Sequence, residues 1–181
     1  MNLLGNLLIA PPTIKGNFWY KTVILLTEHQ AHGSIGLVLN KRSQLSIKDF
    51  GKQLNFDLDY PGYIYQGGPV NVKNLSFLHS NDWACKNTLR INNQLSVSSA
   101  DDILPRLELG DSPKYWRIFL GLCGWGPDQL IDELKGNPPW NHNMSWCTAS
   151  SDYNLVFGSD NKDQWVNALD RSGIEFAQNI L

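Results

Sequence analysis

The run Val23-Ile24-Leu25-Leu26 has no polar residue at alternate positions. A strand with one wet face alternates apolar and polar side chains. An unbroken apolar run of this length therefore predicts a central strand over Tyr20 to Thr27, covered on both faces. A polar turn over residues 28–33 leads into Ser34-Ile35-Gly36-Leu37-Val38-Leu39-Asn40, a second strand, so the two read as a hairpin. A domain built on such a pair needs material on each side of its sheet.

The rest of the chain supplies it. Leu7 to Ala10, stopped by Pro11-Pro12, reads as a short first strand. Ser46 to Leu54 has apolar residues at helical spacing after a serine cap. Tyr63 to Gln66, Val70 to Ser80, and a hairpin of Thr88–Ile91 with Leu95–Val97 around Asn92-Asn93 read as extended. Ser98 or Ser99 caps an expected helix running to about Leu109, with Gly110 as its stop. Tyr115 to Leu122 is a second buried strand, entering Gly124-Trp125-Gly126-Pro127. Asp128 to Lys135 then reads as a helix with proline at its first position and Gly136 as its C-cap. Met144–Ala149 and Leu155–Phe157 are expected as late strands, Asn161–Arg171 as a helix carrying Trp165 and Leu169 on one face, and Ile174–Ile180 as a last turn. Strands that arrive in hairpins, not in strict alternation with helices, favour an α+β fold over a doubly wound parallel sheet. At 181 residues the chain fits one domain, 1–181. A domain of this size removes roughly 70% of its unfolded surface from water and needs no disulfide or metal staple.

Charge and cysteine content narrow the function. Fifteen Lys and Arg oppose seventeen Asp and Glu, with no like-charged run longer than two, which argues against a phosphate-backbone binder. Cys85, Cys123 and Cys147 are an odd, widely spaced set, neither a disulfide framework nor a zinc ribbon. Residues 1–10 lack the basic and apolar regions of a secretory signal, and no apolar run is long enough to span a bilayer, so the cytoplasm is the expected compartment. Seven Trp are many for this length, and each needs a partner for its N–H. Some of these rings are expected half-buried near a surface.

Several constellations invite chemistry. His29 and His32 stand at i, i+3 where strand passes into turn, with no third ligand nearby, so a polar hairpin tip explains them better than a metal site. Cys123, in Gly121-Leu122-Cys123-Gly124-Trp125-Gly126, stands where a nucleophile elbow would expose a thiol between strand and helix, with His79 or His29 as conceivable bases. Trp125 replaces the glycine that such an elbow requires, and a free cysteine is usually a small buried hydrophobe. Gly124-Trp125-Gly126 could also cradle an anion at a helix start, but Asp128, expected at the second helical position, would repel one, so a tight turn is the better account of these glycines. Gly67-Gly68-Pro69 reads as a bulge or turn. Asp132-Glu133 and Asp101-Asp102 are adjacent in sequence and so diverge on a helix, as solvated faces.

The blocks Gly5-Asn6-Leu7-Leu8-Ile9-Ala10, Val23 to His29, Gly36-Leu37-Val38-Leu39-Asn40, Tyr65-Gln66-Gly67-Gly68-Pro69-Val70, Leu78-His79-Ser80 and Leu120 to Leu130 together resemble the bacterial YqgE/AlgH family, also called UPF0301 or DUF179. They follow the family's order from Gly5 to about Trp165. The resemblance implies a cytosolic α+β domain with a strongly coiled, mostly antiparallel sheet and helices packed around it. It brings no catalytic residues, and the AlgH label implies a role in transcriptional regulation. Where the family commonly has Ala, this chain has Cys123, and a catalytic thiol would not exchange with a methyl. Where the family commonly has Gly, this chain has Asp128, which weakens an anion site.

The reading that results is a non-enzymatic binding or regulatory protein without cofactor or metal, whose partner is a protein or a small molecule, not nucleic acid or membrane. Nothing in the sequence sets the oligomeric state. The candidate surface lies near the Gly-Trp-Gly segment and comprises His29, Asn40, Gly67, Gly68, Trp125 and Gln129, polar or aromatic groups beside glycines that allow close approach. Two rivals stand beside it: a small hydrolase or transferase using Cys123, which needs an exposed thiol with a His in reach, and a direct DNA-binding regulator.

Overall fold

The apolar run becomes β2 (Val23–Gln30), and its two faces are buried in different cores. Val23 and Leu25 join Leu7, Ile9, Leu37 and Leu39 on one side, while Ile24 and Leu26 join Leu8, Val38 and Cys123 on the other. Period-two alternation sends successive side chains to opposite faces, so a strand apolar at every position needs a lid on each. The computed structural model describes residues 2–140, 145–158 and 161–180.

Ten strands among the described residues form one sheet. β1 (Asn6–Ile9), β2 and β3 (Gly33–Val38) are successive antiparallel neighbours. β4 (Arg42–Ser46) runs into α1 (Ile47–Gln53), whose N-terminus is capped by the Ser46 hydroxyl accepting from the Asp49 N–H at 3.0 Å. β5 (Tyr63–Gln66), β6 (Val70–Ser80), β7 (Leu89–Arg90) and β8 (Leu95–Ser99) follow. α2 (Leu104–Glu108) precedes β9 (Trp116–Trp125), and α3 (Gln129–Lys135), β10 (Cys147–Ser150) and α4 (Asn161–Ile180) complete the chain. The main path is β10-β1-β2-β3-β9-β6-β8-β7, all antiparallel, with β4 and β5 as a side pair and β5 parallel to β9. The α+β class and the coiled, mostly antiparallel sheet are as expected.

β9 organises the molecule. One edge pairs with β6; the other pairs first with β5, at Phe119 and Leu120, then with β3, at Cys123 to Trp125. The hand-over from β5 to β3 is made by Gly67, whose N–H donates to Leu120 O at 2.8 Å and whose carbonyl accepts from the Val38 N–H at 2.8 Å. Beside it, Gly68 and Gly121 pass backbone against backbone. A Cβ on Gly68 would lie 2.2 Å from the Leu122 carbonyl, and one on Gly121 would lie 2.4 Å from Gly68 O. Only a residue without a side chain allows that approach.

α4 closes the first core with Ala168, Trp165 and Leu169, and α3 closes the other with Leu130, Ile131 and Leu134. α1 and α2 pack Phe50, Leu104 and Leu107 with Phe77 and Ile118 into a third cluster.

Several expectations are corrected. β2 starts at Val23, not Tyr20, because Lys21 takes a left-handed φ of 52° and the Thr22 N–H turns back to Trp19 O. The helix expected from Ser98 or Ser99 to Leu109 is a 3-10 turn, Ala100–Asp102, followed by the short α2, with Pro105 in its first turn and no side-chain cap from Ser99. Gly124 and Trp125 are not a turn: they pair with Ile35 and Ser34 as the end of β9. Pro127 therefore precedes the helix, and Asp128 is the N-cap residue of α3, in left-handed conformation with φ 61°, not the second helical residue. Leu155–Phe157 belong to a π-helical turn, Asn154–Gly158, held by the Gln164 amide donating to Leu155 O and Val156 O. The last two helical pieces are one, running through Gly173. Met144, expected to open the last strand, lies outside the described residues.

Candidate functional site

The end of β9 places Trp125 against α3, and the junction builds a polar anchor for aromatic walls. Gln129 uses both ends of its amide: Oε1 accepts from the Gly126 N–H at 3.0 Å, and Nε2 donates to Glu133 Oε1, one helical turn on, at 3.0 Å. The Trp125 indole donates to Glu133 Oε2 at 3.1 Å. From before β10, the Trp146 indole donates to the same oxygen at 2.9 Å. Glu133 is thus no solvated carboxylate. It is the acceptor on which two indole N–H groups converge, which meets the need of a half-buried Trp for a partner.

Around this anchor lies a pocket of about 310 Å³. Trp19, Trp125, Trp140 and Trp146 line it, and Ile14, Pro69, Val70, Cys123 and Pro139 add to the apolar wall. Trp19 meets Trp146 edge-to-face, with centroids 5.6 Å apart and planes at 89°, and Phe18 meets Trp19 in the same way at 4.8 Å. Glu133 is the one charged residue among the described residues lining the pocket. None of the ion pairs among the described residues involves it.

The six residues singled out from sequence divide. Trp125 and Gln129 line this pocket. Gly67 and Gly68 do not line it, but their crossing with β9 leads directly into Pro69 and Val70, which do. His29 lines a separate depression with Gly126, Asp128 and Leu130, and its Nδ1 is 2.8 Å from the Ser34 hydroxyl. Asn40 is a strand tie at the opposite end of the β2–β3 hairpin: its Oδ1 accepts from the Val23 N–H at 3.0 Å and its Nδ2 donates to Lys21 O at 2.7 Å. Trp146, Trp140, Trp19 and Glu133 escape the sequence reading. Only the high Trp count points towards them.

Cys123 cannot be an elbow nucleophile. It sits inside β9 rather than at its end, is 1% exposed, and its thiol donates to Gly67 O at 3.6 Å. Burial pushes its pKa up to about 12, opposed by the nearby positive charge of Lys41. A thiol so placed is protonated at neutral pH, whereas the thiolate is the nucleophile. His79, the other conceivable base, is fully buried elsewhere, between Ser80 O and the Ser98 hydroxyl. Among the described residues no group of three or more His, Cys, Asp or Glu is placed to hold a metal, and no helix is long and apolar enough to cross a membrane.

Comparison with known proteins gives one family. The model of the AlgH-like family DUF179 matches residues 7–177. A UPF0301 protein of Vibrio atlanticus is 31% identical over 186 aligned positions, covering 98% of this chain and 96% of that protein. Another, from Aliivibrio fischeri strain MJ11, is 32% identical, covering 96% and 94%. The solution structure of the AlgH protein from Pseudomonas aeruginosa superposes with a TM-score of 0.76 at 30% identity, over 94% of this chain and 89% of that one. A crystal structure of a Corynebacterium diphtheriae protein, at 21% identity and a TM-score of 0.72, shares the fold.

Proposed function

The chain belongs to the AlgH-like DUF179 family, and from that premise we propose that it is a binding protein, not an enzyme, whose site is the tryptophan pocket between the end of β9 and α3. The observation that carries the reading is the convergence on Glu133. Three side-chain donors fix one carboxylate, and that carboxylate in turn fixes two of the four indoles around the pocket. Ligand sites are typically concave and largely apolar, with a few placed polar groups, in clefts of about 300 Å³ upward; this pocket has that composition at the small end of the range. A regulatory role of the kind the family resemblance implies would be exercised through what the pocket holds, not through chemistry at the buried Cys123.

Direct DNA binding has less support. A strand separates every two consecutive α-helices among the described elements, which is not the arrangement of a helix-turn-helix. Its mark would be affinity that falls steeply with salt.

The test is a fragment screen followed by nitrogen-correlated NMR. Binders are expected to shift the indole N–H signals of Trp125 and Trp146 and the Gln129 side-chain amide. Binders that leave those three signals unmoved, or a screen without binders, would overturn the assignment.

A further inference from the structure

The composition of the tryptophan pocket also selects a class of ligand, a selection that rests on the reading of this pocket as the site. Four indoles stand in its walls, and the one charge among its described lining residues is the carboxylate of Glu133, with no described Lys or Arg paired to it. Indole faces attract cations through the ring quadrupole, tryptophan most strongly of the aromatic side chains, and the attraction grows when the cation is desolvated. A negative charge at the base of such a wall adds to it. Charge therefore selects a cation.

Hydrogen bonding selects which one. An ionised carboxylate offers about four lone-pair sites. Glu133 gives two, on Oε2, to Trp125 and Trp146 and one, on Oε1, to Gln129. About one site remains beyond the bonds made by the described residues. A primary ammonium brings three N–H donors and a guanidinium five; Glu133 can meet about one of them, and each donor left unmet loses its water without replacement. A cation with no N–H keeps the Coulomb and cation–π attraction and escapes that penalty.

We infer that the pocket takes a quaternary ammonium head, an alkylated nitrogen without N–H, carried by a small molecule or by a trimethylated lysine. Glu133 supplies the charge and the indoles of Trp19, Trp125, Trp140 and Trp146 supply the cage.

The experiment uses the intact protein and reads tryptophan fluorescence and titration calorimetry. The probes are choline, its uncharged isostere 3,3-dimethylbutan-1-ol, and a short peptide bearing trimethyl-lysine. Choline or the peptide is expected to bind at least about tenfold more tightly than the alcohol, roughly 1.4 kcal/mol of cation-specific attraction. Glu133→Gln should remove most of that preference, and Trp140→Ala should weaken every probe. Which of the two cations binds more tightly assigns the source, free molecule or modified chain. If the alcohol binds as well as choline and the peptide, the cation inference falls while the pocket reading stands. If no probe binds, the inference also falls, and the indole shifts in the fragment screen decide the pocket separately. Both outcomes are read on the unmutated protein, so neither depends on a variant that folds.

Discussion

The indole of Trp125 donates to Glu133 Oε2 at 3.1 Å, tying the last residue of β9 to the middle of α3. That bond turns a strand end into a pocket wall, because the indole of Trp146, the residue just before β10, donates to the same oxygen. Removing the acceptor strands two donors, one on the buried Trp125 and one on the half-buried Trp146. Glu133→Ala should lower stability by about 2 kcal/mol, with Glu133→Gln costing less because an amide oxygen can still accept. Urea denaturation monitored at the tryptophans measures both.

The glycines of the β9 crossing make a second, steeper prediction. A methyl group on Gly68 or Gly121 meets backbone, which cannot rotate away as a side-chain end can. Gly68→Ala and Gly121→Ala should each cost at least about 3 kcal/mol or prevent folding. Gly173 is the contrast: it lies inside α4, with nothing within 4 Å of an added Cβ. Gly173→Ala should stabilise by about 0.5–1 kcal/mol, since alanine is the better helix former. Thermal melts of the three variants side by side are the check.

How much of the fold is legible in the sequence depends on how local each signal is. Ser46 as a cap and Gly110 and Gly136 as left-handed stops are legible, because the reason lies within a few residues. The doubly buried β2 is legible from its own composition. Gly124-Trp125 reads as a turn because glycine usually signals one; pairing with Ile35 and Ser34, far away in the chain, decides otherwise. Leu155–Phe157 carry a strand's composition, but Asp152, accepting from the Leu155 and Val156 N–H groups, and the Gln164 amide hold them in a helical turn. Glu133 looks like one half of a solvated acidic pair, since nothing near it in sequence says that Trp146 will fold back upon it. The Gly-Trp segment does lie on the wall of the proposed pocket, but for a reason of packing rather than of loop geometry.

Cys123 gives a prediction of non-reactivity. Buried at 1% exposure and with its pKa pushed up to about 12, it should resist alkylation while the partly exposed Cys85 and Cys147 react. Two thiols should label in the folded protein and the third only on unfolding; three equal rates would restore the nucleophile. The same burial has a pH signature. Because the folded thiol loses its proton only near 12 against an ordinary value of 9.0, its contribution is whole below pH 9 and is lost as pH rises towards 12. Cys123→Ala should therefore lose less stability than wild type between those limits.

His79 should set the acid limit of the fold. Its ring is fully buried in β6, with Nδ1 2.9 Å from Ser80 O and Nε2 3.0 Å from the Ser98 hydroxyl. A carbonyl only accepts, so Nδ1 carries the proton and Nε2 accepts from Ser98, which fixes the neutral tautomer. Burial holds its pKa below the ordinary 6.5, although the bond to Ser80 O and the charge of Asp82 pull upward. The unfolded chain thus takes up a proton that the folded chain refuses. Stability is whole above pH 6.5 and falls as pH drops through the folded value. Carboxylates such as Asp111, held below its ordinary value by Arg106 and by the Trp83 indole, act in a lower window, under about pH 4. Denaturation midpoints between pH 8 and 5 should decline below 6.5 in wild type and run nearly level in His79→Gln, whose amide cannot charge. An equal decline in both proteins would place the acid sensitivity elsewhere.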